Sequence, residues 1–155
     1  MSEQETWLMV EKTLESQKFG VLATLMGEYP YTGAVTFAAP PDAKYIIFAT
    51  PKHTRKYTNL KIHPKASVFV SNAANQVEDI LGAIGITAVG DVEELHHTPA
   101  NQCYYELLCD RHPYLKEFID SDSTAVFKLK ILKYYVVRDF QRVFEFHMQD
   151  KDTNA

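Results

Sequence analysis

The chain has 155 residues, 46% hydrophobic and 23% charged, which fits one domain (1–155) with its own core and excludes a disordered, collagen-like or coiled-coil chain. The formal net charge is −4, opposite in sign to most duplex-binding proteins, so nucleic acid is not an expected partner. The apolar runs are too short to cross a bilayer and the first residues lack the basic-then-apolar order of a secretory signal, so the expectation is a cytoplasmic protein with no membrane partner.

Taken in chain order, residues 5–17 read as an amphipathic helix with Trp7, Leu8, Met9, Val10 and Leu14 on its apolar side. Three strand-like runs follow, at 19–26, 29–39 and 44–50. A turn around Gly27 and Pro30 separates the first two, and Pro40, Pro41 and Asp42 break the chain before the third. Short connections between consecutive strands predict an antiparallel meander. Residues 54–63 read as a helix that stops before Pro64. A strand at 66–72, a polar loop at 72–79 and a strand at 83–95 come next. The glycines of that last strand predict bulges or close backbone approach.

Thr98 and Pro99 predict a helix start, as N-cap and first helical residue, with the helix running to about Asp110. A shorter helix is expected over 113–120. Residues 124–132 alternate, with Phe127, Leu129 and Ile131 on one face and Lys128 and Lys130 on the other. Residues 134–146 read as further strand with a final turn, and a polar tail is expected from about 148. About six antiparallel strands with flanking helices make a mainly β chain, and closing them into a barrel would remove the exposed edges.

Charge is unevenly spread. No acidic residue lies between Asp42 and Glu78, whereas that interval holds Lys44, Lys52, Arg55, Lys56, Lys61 and Lys65. A local positive field in an acidic chain points to a small anionic ligand rather than a polyanion. Its centre is IIFATPKHTRKYTNL, residues 46–60, which reads as strand, loop and helix amino terminus. Thr54 is a natural N-cap, yet Arg55 and Lys56 place cations in the first turn, where the helix dipole disfavours them. A bound phosphate would resolve this conflict. It would take the free N–H groups of the helix start, the hydroxyls of Thr50 and Thr54, and the side chains of Arg55 and Lys56. The same residues also suit an ordinary capped helix with exposed bases.

The run F-x-T-x-x-x-T-R-K, carried by Phe48, Thr50, Thr54, Arg55 and Lys56, resembles the phosphate-binding signature of the pyridoxamine 5'-phosphate oxidase-like family of FMN-binding split barrels. Residues 59–70 and 86–95 resemble the family's next two blocks, in the same order, with His63 where the family usually has Asn. The resemblance implies a six-stranded antiparallel Greek-key split barrel. It also implies a homodimer with FMN at the interface, the phosphate on Thr50, Thr54, Arg55 and Lys56. The ring would lie along Val35, Thr36, Phe37, Phe48 and Ala49, and the loop at Asn75 and Gln76 would reach the partner's flavin. The implied function is an oxidoreductase that moves electrons from a reduced nicotinamide or protein donor to a small organic acceptor. The alternatives are a flavin-binding or electron-transfer module without turnover, and a split barrel that binds haem or a deazaflavin. Members that oxidise vitamin B6 carry a basic residue at the end of the second strand and an Arg-containing carboxy-terminal motif. Here the strand ends in Phe37-Ala38-Ala39 and the carboxy-terminal motif is missing, although Arg138 and Arg142 are present. The chain is more similar to the small nitroimidazole-reductase-like and flavoredoxin-like proteins.

Other features carry less. Cys103 and Cys109 match no zinc or redox spacing and read as reduced thiols. His96 and His97 lack further ligands at metal-site spacing and read as turn histidines, so no metal is expected. No side chain is assigned as a catalytic acid or base.

Overall fold

The computed structural model describes residues 2–148; the polar tail expected beyond them lies outside the described residues. Strand β1 (Phe19–Met26) and strand β2 (Tyr29–Ala38) form a full hairpin, closed by a turn in which Gly27 takes φ +63°. Left-handed backbone of this kind is inexpensive only without a Cβ. The Pro40-Pro41 break leads to strand β3 (Tyr45–Pro51) through Ala43, whose own positive φ of 56° is held from both sides. The Ala43 N–H donates to the Pro40 carbonyl at 2.9 Å, and the Tyr134 hydroxyl donates to the Ala43 carbonyl at 2.7 Å. Burial pushes the Tyr134 phenol well above its ordinary pKa, so it stays a donor.

Helix α2 (Arg55–Ile62) then carries the chain to strand β4 (Lys65–Ser71), which pairs with β1 rather than with β3. This crossing makes the Greek key. A short helix α3 (Asp79–Gly82) precedes strand β5 (Gly85–Leu95), which pairs with β4, and strand β6 (Thr124–Arg138) pairs with β5 and also with β3. The six strands therefore close on themselves, and strand β7 (Arg142–His147) adds to β6 outside the barrel. The expected mainly β, six-stranded antiparallel barrel is what forms. Among the described residues, no helix is long and apolar enough to cross a membrane.

Inside the barrel, Leu22, Phe37, Ile46, Phe48, Val68, Ile86, Leu129 and Val136 are fully buried. Each side chain of this kind contributes about 1.5–3 kcal/mol over its exposed state. Helix α1 (Glu3–Ser16) adds Val10 and Leu14 to this core and sets Trp7 edge-on to Tyr134 at 5.5 Å. Leu8, expected on the apolar face, is instead exposed: the buried stripe of α1 is Thr6, Val10, Thr13 and Leu14. A second cluster lies on the outer face of β3 and β6, where Ile47, Ala49 and Val126 are covered by helix α4 (Gln102–Arg111) and helix α5 (Lys116–Asp120) through Leu108, Tyr105 and Ile119. Before α4 the chain makes a 3-10 turn at Pro99–Asn101, and the Thr98 side chain makes no capping bond there.

The last strands depart from the expected division. Residues 124–138 form one continuous strand, and the chain turns only at Asp139 and Phe140, both at positive φ. The alternation breaks because Gly90 pairs with Ile131 and Val89 with Lys133, which leaves Leu132 as an extra residue. Buried positions accordingly shift from Phe127, Leu129 and Ile131 to Tyr134 and Val136. This is a β-bulge, and such an insertion moves every later side chain to the opposite face. Gly90 makes it possible, since a Cβ there would overlap the Lys130 carbonyl oxygen. Gly90→Ala is expected to lower the unfolding free energy by about 1–3 kcal/mol, as measured by urea denaturation.

Candidate functional site

β3 pairs with β6 along its whole length, from Tyr45 with Lys130 to Pro51 with Thr124. With β2 it pairs only at Phe37–Phe48 and Ala38–Ile47. Beyond those two positions β2 and β3 diverge and leave a cleft of about 310 Å³. Its walls are Ala34, Val35 and Thr36 on β2 and Ala49, Thr50 and Pro51 on β3. Lys56 of α2 stands at one end, and Leu115 and Phe118 form a lip. Lys56 is the one charged side chain among the described lining residues.

The end at α2 is built by a short hydroxyl network. The Thr54 hydroxyl donates to the Pro51 carbonyl at 2.8 Å and accepts the Tyr57 N–H at 3.4 Å, which makes Thr54 the N-cap that its sequence position predicts. Because the one proton of Thr54 goes to Pro51, the contact of 3.0 Å between the Thr50 and Thr54 hydroxyls is donated by Thr50. Both hydroxyl protons are thus directed at protein oxygens, and Thr50 is buried. The N–H groups of Arg55 and Lys56, in the first helical turn, have no acceptor within the helix. Arg55 is exposed and Lys56 half-buried.

α2 is fixed in orientation at three places. Leu60 enters the barrel core. The buried Asn59 amide donates to the Thr24 hydroxyl at 3.0 Å. On the β5 side, Glu94 accepts from the Tyr57 hydroxyl at 3.1 Å and from the Lys61 ammonium at 3.2 Å. Desolvation, followed by the Glu94 hydrogen bond, raises the Tyr57 phenol above its ordinary pKa and keeps it a donor. The lip is fixed by His112, which is fully buried. Its Nε2 lies 2.8 Å from the Phe37 carbonyl and must carry the proton, since that oxygen can only accept. Nδ1 then accepts from the Tyr114 hydroxyl at 3.3 Å.

Of the residues singled out in the sequence, Val35, Thr36, Ala49, Thr50 and Lys56 line the cleft together. Thr54 caps the adjoining helix and Arg55 stands beside it. Phe37 and Phe48 pair across the strands and point into the barrel core, where Phe48 stacks on Phe127 at 5.5 Å; they mark the closed end of the divergence. Asn75 and Gln76 are exposed in the segment after β4 and are not part of this lining. Ala34, Pro51, Leu115, Phe118 and His112 were missed. Ala34 and Pro51 adjoin identified residues and could have been found by extending the strands. Nothing local in the sequence says that Leu115 and Phe118 come to line the gap between β2 and β3.

The family profile described as pyridoxamine 5'-phosphate oxidase matches residues 9–138. The chain belongs to the pyridoxamine 5'-phosphate oxidase family. No curated protein is significantly similar to it in sequence. Among solved structures, a heme binding protein from Mycobacterium smegmatis superposes with a TM-score of 0.79 at 18% identity, over 90% of this chain and 56% of that one. This chain therefore spans little more than half the length of that protein. A FAD-binding protein from Mesorhizobium loti gives a TM-score of 0.68 at 17% identity, over 84% and 90% of the two chains. A Clostridium acetobutylicum protein of the pyridoxinephosphate oxidase family, related to general stress protein 26 of B. subtilis, gives 0.74 at 18% identity, over 96% and 99%. At these identities the likeness is one of fold.

Thr54→Ala removes the cap of α2 and is expected to cost about 1 kcal/mol, read as a lowered midpoint in thermal unfolding.

Proposed function

We propose that the cleft between β2 and β3 holds FMN and that the protein is an oxidoreductase. In this reading electrons pass from a reduced nicotinamide or protein donor to a small organic acceptor. The observation that carries the reading is the two-position pairing of β2 with β3. It opens an apolar cleft of about 310 Å³ that ends at the amino terminus of a helix bearing Arg55 and Lys56. An apolar slot with one anion-binding end matches a flat ring system joined to a phosphate. None of the described lining residues is His, Cys, Met or Tyr, so the cleft itself offers no usual axial ligand for haem iron.

A bound flavin would supply the electron chemistry. The chain supplies the rest. Arg55, Lys56 and the first-turn N–H groups bind the phosphate. Val35, Thr36 and Ala49 flank the ring and offer main-chain groups to its polar edge. Leu115 and Phe118 keep water from its apolar side.

A second copy of the chain would complete the site. Phe19, Val21, Phe69, Val137 and Val143 are exposed. Phe19 pairs with Thr36 on the cleft wall, Val21 with Phe69, and Val137 with Val143. They form an apolar face that runs outward from the cleft, and such a face marks a contact surface. The segment bearing Asn75 and Gln76 is ordered by the Asp79 carboxylate, which accepts the Ala74 and Gln76 N–H groups at 2.7 and 2.8 Å. It also exposes Val77, Ile80 and Leu81. In this reading it reaches the partner's flavin, as the family resemblance implies for Asn75 and Gln76.

The visible spectrum of the purified protein, after FMN is added and the excess removed, tests the cofactor. Flavin bands at about one FMN per chain are expected, with loss of FMN in the Arg55→Ala, Lys56→Ala double variant and an unchanged far-ultraviolet circular dichroism spectrum. A Soret band without flavin bands, or a double variant that keeps its FMN, overturns the assignment. Phe69→Glu is expected to halve the mass seen by light scattering and to weaken FMN binding with it.

A further inference from the structure

Gly33 sits within the β1–β2 ladder, opposite Leu22, where no turn and no positive φ requires a glycine. A glycine inside a strand weakens it and marks a bulge, a bend or the close approach of another group; the β1–β2 register is regular at Gly33, which leaves close approach. Here that group is Lys56. A Cβ at Gly33 would stand 3.2 Å from its Cδ, 3.3 Å from its Nζ and 3.7 Å from its Cγ. The lysine stem therefore lies flat across the bare backbone of Gly33. Its ammonium stands against β2 at Gly33, and both Lys56 and Ala34, the residue after Gly33, line the cleft.

We infer that Gly33 is a positioning residue for the anion-binding lysine. By lacking a side chain it lets Lys56 lie across β2, so that the ammonium reaches the phosphate end of the cleft instead of swinging into solvent. The inference rests on the flavin reading above and deepens it: it assigns the preference for a phosphate-bearing flavin to a pair of residues, one of them without chemistry of its own. It also separates the two cations. Arg55 is exposed whereas Lys56 is half-buried and packed on Gly33, so Lys56 is the cation that is already in place before the ligand arrives. Preorganisation of this kind lowers the cost of binding.

The test compares FMN with riboflavin, which has the same ring and no phosphate. Dissociation constants are measured by flavin fluorescence for the wild type, Gly33→Ala, Gly33→Val, Lys56→Ala and the Gly33→Ala, Lys56→Ala double variant. Thermal midpoints are recorded alongside. A hydrogen bond between charged groups corresponds to roughly ten-fold in affinity or more. Gly33→Ala is therefore expected to weaken FMN about ten-fold and Gly33→Val further, with riboflavin unchanged within about two-fold. The thermal midpoint should hold or rise, because alanine favours a strand over glycine and the atoms displaced belong to a flexible side chain. In the Lys56→Ala background, Gly33→Ala should change FMN affinity by less than about two-fold.

Equal losses for FMN and riboflavin overturn the inference, as do unchanged FMN affinity in both Gly33 variants or additive losses in the double variant. A wild type that binds FMN no better than riboflavin overturns it together with the phosphate assignment. A wild type that binds neither overturns the flavin reading itself.

Discussion

The divided loyalty of β3 is the constraint on which the rest of the molecule depends. To close the barrel it must pair on both edges, yet its ladder with β6 is complete and its ladder with β2 stops after two positions. Closure satisfies the edges that an open sheet would expose. The incomplete side leaves a gap between two strands that are otherwise held rigidly. Phe37 and Phe48, both fully buried, pin the point where the strands part. His112 holds the Phe37 carbonyl from outside the barrel. The cleft is therefore a built feature of a closed fold rather than a loose end of it.

The second element is the placement of α2. The helix cannot be moved without breaking the Asn59–Thr24 bond, the seat of Leu60 and the Glu94 contacts together. Its amino terminus is consequently held at the open end of the β2–β3 gap, with Arg55 and Lys56 in a turn where the helix dipole disfavours cations. Placing that unfavourable charge beside an apolar slot makes sense when an anion is to be bound there. The hydroxyls of Thr50 and Thr54 serve first to build the turn. Thr54 donates to Pro51 and Thr50 to Thr54, so the groups left for the proposed anion are the first-turn main-chain N–H groups and the side chains of Lys56, which lines the cleft, and Arg55, which is exposed.

Legibility followed the range of the interactions. The two β1–β2 strands, the helix cap at Thr54 and the cationic first turn depend on residues within a few positions of one another, and they were readable. So was the expectation of a bulge or close backbone approach at the glycines of β5, met by the bulge at Gly90, although the partner strand that absorbs the bulge was not. The division at Leu132 failed because the break in alternation looks, locally, like the end of a strand. In the fold it is an extra residue opposite Gly90. Leu8 was misplaced for a similar reason: helical periodicity defines a stripe, but the tertiary contacts of α1 choose which side of it is buried.

By itself, the sequence determined a mainly β chain of about six antiparallel strands and located the capped, cationic start of α2 at residues 54–56, because periodicity, turn chemistry and capping act over short separations. Only the tertiary structure decided that β3 leaves β2 after two pairs, that Leu115 and Phe118 come to line the resulting gap, and that Lys56 lies on Gly33. Those contacts join residues far apart in the chain, and they exist only once closure of the barrel has set the distances between its strands.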